Sequence, residues 1–93
     1  MKATLGRHVV ADSADLVEVD GYQYFPRAAV RTEWLQKSPK TANDQLCPHG
    51  VQFYDVVVDG RRHERAAWCY EAPQKSMQRV AGRFGFWEDV EVG

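Results

Sequence analysis

The chain has no marked excess of either charge: 12 basic residues face 13 acidic ones, for a net charge of −1. Nucleic-acid proteins usually show a clear basic surplus, so that class is set aside. No apolar run approaches the roughly 18 residues that cross a bilayer, so no membrane association is expected. The opening stretch Met1–Val10 holds Lys2, Arg7 and His8 but no apolar h-region, and does not read as a signal peptide. Cysteine is scarce as well. Cys47 and Cys69 stand far apart and form no CxxC pair, so they read as reduced thiols of a cytoplasmic protein. No glycine-rich phosphate loop, paired-carboxylate arrangement or Ser-His-Asp order stands out, and no cofactor is implied.

What is present suits one small folded unit. Residues 1–93 are the length of a single domain with room for one core. A hydrophobic fraction of 44% and a charged fraction of 27% are ordinary for a globular chain. Aromatic residues are plentiful, with four Phe, four Tyr and three Trp, and they serve either as core or as a recognition surface.

Short β-type runs separated by turn residues dominate. Leu16–Val19 alternates before Asp20-Gly21 and Tyr22–Phe25 resumes beyond it, while Val51–Val58 runs into a second Asp-Gly at 59–60. Asp-Gly between two such runs is a strong hairpin signal, because both turn residues must take positive φ. Val51–Val58 is apolar on both sides, which predicts a central strand covered on both faces. The return arm passes through Arg61–Arg65 to a strand at Ala66–Tyr70. A last strand is expected over Val80–Trp87, where Gly82 and Gly85 point to a bend or a close backbone approach. Pro26 opens the one expected helix, Arg27–Gln36, with Val30 and Trp34 on one face. Lys37–Gln45 reads as a loop. The fold class is therefore mainly β, with antiparallel sheets and one short α-helix.

Several residues are candidates for chemistry. Cys47 and His49 flank Pro48, and a thiol beside an imidazole suggests an activated nucleophile, although no third residue is evident to orient the base. Cys47, His49, His63 and Cys69 offer at most one close pair, which is poor spacing for zinc, so no metal is expected. The Arg61–Arg65 run reads as a solvated hairpin tip. Trp68 and Tyr70 share one strand face, and Phe84 and Phe86 share another. These rings form either a plain aromatic core or a ring-lined cup with Arg83 or Arg27 at its lip.

Taken in order, these stretches resemble the domain-of-unknown-function family 427. The matching pieces are Tyr24-Phe25-Pro26 with Val30, Cys47-Pro48 with Gly50, Tyr54–Gly60, Ala66–Tyr70 with Pro73, and Val80-Ala81-Gly82 with Phe86. Where the family usually has an aromatic and a basic residue before the glycine, this chain has only His49. The usual first proline after the Trp-x-Tyr motif is also missing. The resemblance implies a compact β-tent-like domain of bent antiparallel sheets, and it brings a nucleotidyltransferase-like label. Nucleotidyl transfer generally needs carboxylates that hold Mg²⁺ against phosphates, whereas the shared motifs here are aromatic, Cys-Pro and Gly.

Together these readings favour a non-catalytic domain that binds a small molecule. Its expected pocket is lined by Tyr24, Tyr54, Trp68, Tyr70 and Phe86, with Cys47 and His49 at the rim. Tyr54 is expected to face Trp68 across a bulged hairpin. One alternative is a small enzyme that uses Cys47 or a polar pocket group. Another is an interaction module offering a sheet edge or an exposed Trp34 or Trp87 to a protein partner.

Overall fold

The computed structural model describes residues 1–93 and is mainly β. In chain order the elements are β1 (Lys2–Leu5), β2 (His8–Asp12), β3 (Val17–Val19), β4 (Tyr22–Tyr24), β5 (Leu35–Lys37), α1 (Ala42–Gln45), β6 (Val51–Val58), β7 (Arg61–Tyr70), β8 (Phe84–Phe86) and β9 (Glu91–Val92). They form antiparallel sheets with strand orders β2-β1-β9, β3-β4 and β5-β6-β7-β8. Phe25 and Phe84 exchange both backbone hydrogen bonds at 2.9 Å and so dock the β3–β4 hairpin beside β8. Both Asp-Gly turns form as expected. Asp20 and Gly21 take φ of 53° and 85°, and Asp59 and Gly60 take 53° and 75°.

The β6–β7 ladder is interrupted once, and the interruption organises the molecule. Val56 lies opposite His63, while Tyr54 lies opposite Ala67. One residue of β6, Asp55, therefore faces three of β7, and Arg65 among them adopts φ of 55°. Bulges leave backbone groups without ladder partners. Asp55 supplies a substitute: its carboxylate accepts the Arg65 N–H at 3.0 Å, the Ser38 hydroxyl at 2.5 Å and Arg62 Nη1 at 2.6 Å. The Arg65 guanidinium then grips the buried Asp44 carboxylate through two hydrogen bonds of 2.9 Å. Asp44 belongs to a capping box with Thr41 at the start of α1. Arg61–Arg65 is thus not simply a solvated tip, because Arg62 and Arg65 hold buried carboxylates and His63 Nδ1 lies 2.9 Å from Asp89.

The interior β6 strand sends its two faces to two clusters. Tyr54, Val56 and Val58 join Ala67, Cys69, Phe84 and Phe86, together with Ala3, Val10 and Ala11 of the β1–β2 hairpin, in the main core. Val51 joins Trp68, Tyr24, Val19 and Val80 in the second cluster.

The segment Arg27–Gln36 corrects the helix expectation. It contains two single 3-10 turns, Arg27–Ala29 and Thr32–Trp34, and Gln36 belongs to β5. Between the turns Val30 is extended, bridges Ala11 and is buried in the main core, and the Arg31 N–H donates to the Val10 carbonyl at 2.8 Å. An isolated helix of this length is marginal, and pairing with the open side of β2 satisfies the backbone while burying Val30. The one α-helix, α1, lies in the stretch read as a loop. Its signal was Thr41-Ala42-Asn43-Asp44, an N-terminal capping sequence. Over Val80–Trp87 only Phe84–Phe86 is strand, because a 3-10 segment occupies Lys75–Val80 and Gly82 turns the chain with φ of 71°.

Burial alone would raise the Asp55 pKa, but its donors from Ser38, Arg65 and Arg62 outweigh that and hold it below the ordinary value. Arg65 foremost holds Asp44 well below the usual carboxylate range. In the unfolded chain both carboxylates take up protons near pH 4, before the folded state does. Their contribution to stability is therefore full above about pH 4 and falls as the pH drops below it. Asp55→Ala, which removes the acceptor of the Arg65 N–H, the Ser38 hydroxyl and Arg62 Nη1, is expected to lower stability by about 3 kcal/mol in urea denaturation. It should also flatten the acid limb of the stability–pH curve.

Candidate functional site

The second face of the β6–β7 ladder opens into a cavity of about 180 Å³. Pleating sends Val51 and Phe53 of β6 to this face, and their ladder partners Tyr70 and Trp68 with them. The β3–β4 hairpin adds Asp20, Tyr22 and Tyr24, while Met77 and Trp87 complete the wall. Tyr24 and Trp68 are only 2% and 5% exposed and form the floor, whereas Tyr22 at 39% stands at the mouth with Asp20.

Trp68 is the hub of this arrangement. Tyr22 meets its ring edge-on at 5.0 Å, Tyr24 at 5.9 Å and Trp87 at 5.3 Å. Its indole N–H donates to the Tyr24 hydroxyl at 3.3 Å. Burial pushes the Tyr24 hydroxyl up to about 12, so it stays a neutral phenol. The Trp68 ring lies directly over Gly85, where an added Cβ would sit 2.5 Å from Cζ2. That is the close backbone approach that a glycine inside a strand pointed to. Trp87 stacks on Phe53 at 5.8 Å, and its indole N–H donates to the Arg65 carbonyl. The Arg65 guanidinium sits 3.9 Å from the Phe53 ring centre, so the bulge also braces the cavity wall.

The expected site residues separate into three groups. Tyr24, Trp68 and Tyr70 come together in the cavity wall. Tyr54 and Phe86 do not join them, because both are buried in the main core on the opposite face, with Tyr54 against Phe84 and Phe86 against Phe25. The bulge adds two residues to β7, and two residues preserve the pleat's alternation. Tyr54 therefore pairs with Ala67 and not with Trp68. Cys47 and His49 stand behind Tyr70. Cys47 packs against the second cluster, and His49 meets the Tyr70 ring at 5.5 Å.

Six wall residues were missed: Asp20, Tyr22, Val51, Phe53, Met77 and Trp87. Phe53 was legible in principle, since an even-numbered bulge places it opposite Trp68. The basic lip is also corrected. Arg83 pairs with Asp15 at 3.1 Å and Arg27 lies over the Phe84 ring at 4.9 Å, so the only charged group lining the cavity is Asp20. Neither Trp34 nor Trp87 forms an exposed patch. Trp34 is half-buried between His8 and Arg31, and Trp87 belongs to the cavity.

The family model described as Domain of unknown function (DUF427) matches residues 1–92. The chain belongs to the DUF427 family. No curated protein matches it. In this DUF427 chain the segments Cys47–Gly50 and Trp68–Tyr70 meet beside the cavity. Gly50 takes φ of 64°, and the Gly50 and His49 carbonyls accept N–H groups of Glu71 and Ala72 just beyond Tyr70. His49 Nδ1 accepts the Gln74 N–H at 3.0 Å, which fixes the neutral imidazole with its proton on Nε2. No cluster of three or more His, Cys, Asp or Glu side chains is arranged to hold a metal. This chain has a second, polar hollow of about 710 Å³ between the β1–β2 and β6–β7 turns, where His8 pairs with Asp59 at 2.9 Å.

Gly85→Ala is expected to push the Trp68 ring off its seat, lowering stability by about 2 kcal/mol and red-shifting tryptophan emission. In alkaline titration, the Tyr24 phenolate step is expected at about pH 12 and should vanish in Tyr24→Phe.

Proposed function

We propose that this chain is a non-catalytic binding domain whose aromatic cavity takes up a small organic group. The observation that carries this reading is a ring-walled hollow of about 180 Å³ set on a rigid ladder. An apolar cavity of roughly 150 Å³ takes up benzene, so this volume suits one ring-sized group. Whole drug-sized ligands need roughly 300–1,000 Å³, which argues against an entire nucleotide seated here. Nucleotidyl transfer gains no support from the lining either, since Asp20 is its only carboxylate.

An enzyme built on Cys47 is the weaker reading. The His49 nitrogen able to take a proton already accepts the Gln74 N–H, and that bond competes with any role as base toward the thiol. Two free cysteines, Cys47 and buried Cys69, favour a reducing compartment such as the cytoplasm as the place of action. Burial pushes the Cys69 thiol up, which keeps it protonated and unreactive.

The test is an NMR titration with a panel of single-ring and small branched fragments. Expected are saturable shifts at the Met77 methyl and the Tyr22, Tyr24 and Trp68 ring protons. Met77→Phe, which fills the hollow, should abolish them while the fold persists. Shifts confined to other surfaces, or none with any fragment, overturn the proposal.

A further inference from the structure

Resting on that reading, we infer that the group the cavity receives is a methylated ammonium cation, caged by Tyr22, Tyr24, Trp68 and Trp87 with Asp20 at the mouth. Three observations converge on this chemistry.

The first is charge. Asp20 is the only charged side chain in the lining, and the nearby cations are already engaged, Arg83 with Asp15 and Arg65 with Asp44. Ring faces carry negative quadrupole potential, so a box of rings with one carboxylate attracts cations and repels anions.

The second is the supply of donors. An anion or a carbonyl ligand needs hydrogen-bond donors aimed into the hollow, and apart from the tyrosine hydroxyls the only side-chain donors in the wall are two indoles. Both indole N–H groups point elsewhere, that of Trp68 to the Tyr24 hydroxyl and that of Trp87 to the Arg65 carbonyl. A methylated ammonium group requires no hydrogen bond from its cage.

The third is shape. Tyr22 and Tyr24 stand at 89° and 87° to Trp68, so the hollow is a corner and not a slot. A flat ring inserted between parallel rings needs them about 7 Å apart, two van der Waals contacts. The one near-parallel pair, Phe53–Trp87 at 5.8 Å, is too close for that, and Tyr24–Tyr70 is tilted by 34° at 6.3 Å. A rounded tetrahedral head group fits a corner, and one of this kind fits within about 180 Å³.

The experiment compares choline with dimethylbutanol, its neutral isostere in which carbon replaces the ammonium nitrogen. Calorimetry and the same NMR resonances read both. Choline is expected to bind about tenfold more tightly than the isostere, the preference that aromatic cages show for a desolvated cation. Asp20→Asn keeps a residue that tolerates the positive φ of this turn. It should weaken choline by about threefold, less at high salt, and leave dimethylbutanol unchanged. A short peptide bearing trimethyl-lysine separates the two sources of the head group. An affinity equal to that of choline marks a free small molecule, and a tenfold gain marks a protein tail. Equal or tighter binding of dimethylbutanol overturns the cation inference and leaves the cavity reading intact. So does a cavity that takes neutral fragments and ignores choline. Failure of the whole fragment panel overturns both.

Discussion

Asp55 is a carboxylate inside a β-ladder, and its hydrogen bonds decide how the two longest strands stay together. With Ser38, Arg62 and the Arg65 backbone as donors it bridges a gap in which one residue of β6 faces three of β7. An apolar residue there would remove the acceptor of the Arg65 N–H and of Arg62 Nη1 and leave the Arg62 guanidinium with Gln36 alone, at the cost of unmade hydrogen bonds. Because the gap closes, Arg65 can turn to positive φ and send its side chain to Asp44 and across Phe53. Its carbonyl accepts from the Trp87 indole. One buried anion thereby ties the loop before β6, the bulge and the aromatic wall into a single unit.

The two faces of that ladder have different characters. The main-core face is closed by Ala67, Cys69, Val56 and Val58 together with the rings of Tyr54, Phe84 and Phe86, against the β1–β2 hairpin. The other face meets the β3–β4 hairpin, the 3-10 segment, Cys47 and Trp87, and the rings of Tyr22 and Tyr24 stand at right angles to Trp68 around the hollow. Polar tips are handled locally: the Trp68 N–H donates to the Tyr24 hydroxyl, and that of Trp87 reaches backbone. The cavity wall is therefore set before any ligand arrives, which lowers the ordering cost of binding.

Local rules read well where short-range physics dominates. The Asp-Gly turns, the central character of Val51–Val58 and the need for Gly85 all follow from backbone sterics and pleat alternation. The Arg27–Gln36 segment reads poorly because a tertiary bridge, Val30 to Ala11, outweighs a helix too short to stand alone. Trp68 and Tyr70 were legible as one face of a strand. Their companions were not, since Asp20 and Tyr22 arrive through the docking of a separate hairpin at Phe25 and Phe84. Tyr54 was misplaced for another reason, since the size of the bulge is settled by Asp55 and Arg65 and not by the turn beneath it, and Phe86 because β8 registers it opposite Ala67 and not Trp68.

That even count of inserted residues bears on how such a chain can change length. Adding or deleting one residue between His63 and Ala67 would invert everything downstream in β7, turning Trp68 and Tyr70 into the main core and Ala67 and Cys69 into the cavity. Changes of two residues keep the faces in place. At this point of the chain, insertions and deletions are therefore compatible with the fold only in pairs, a parity rule imposed by the pleat.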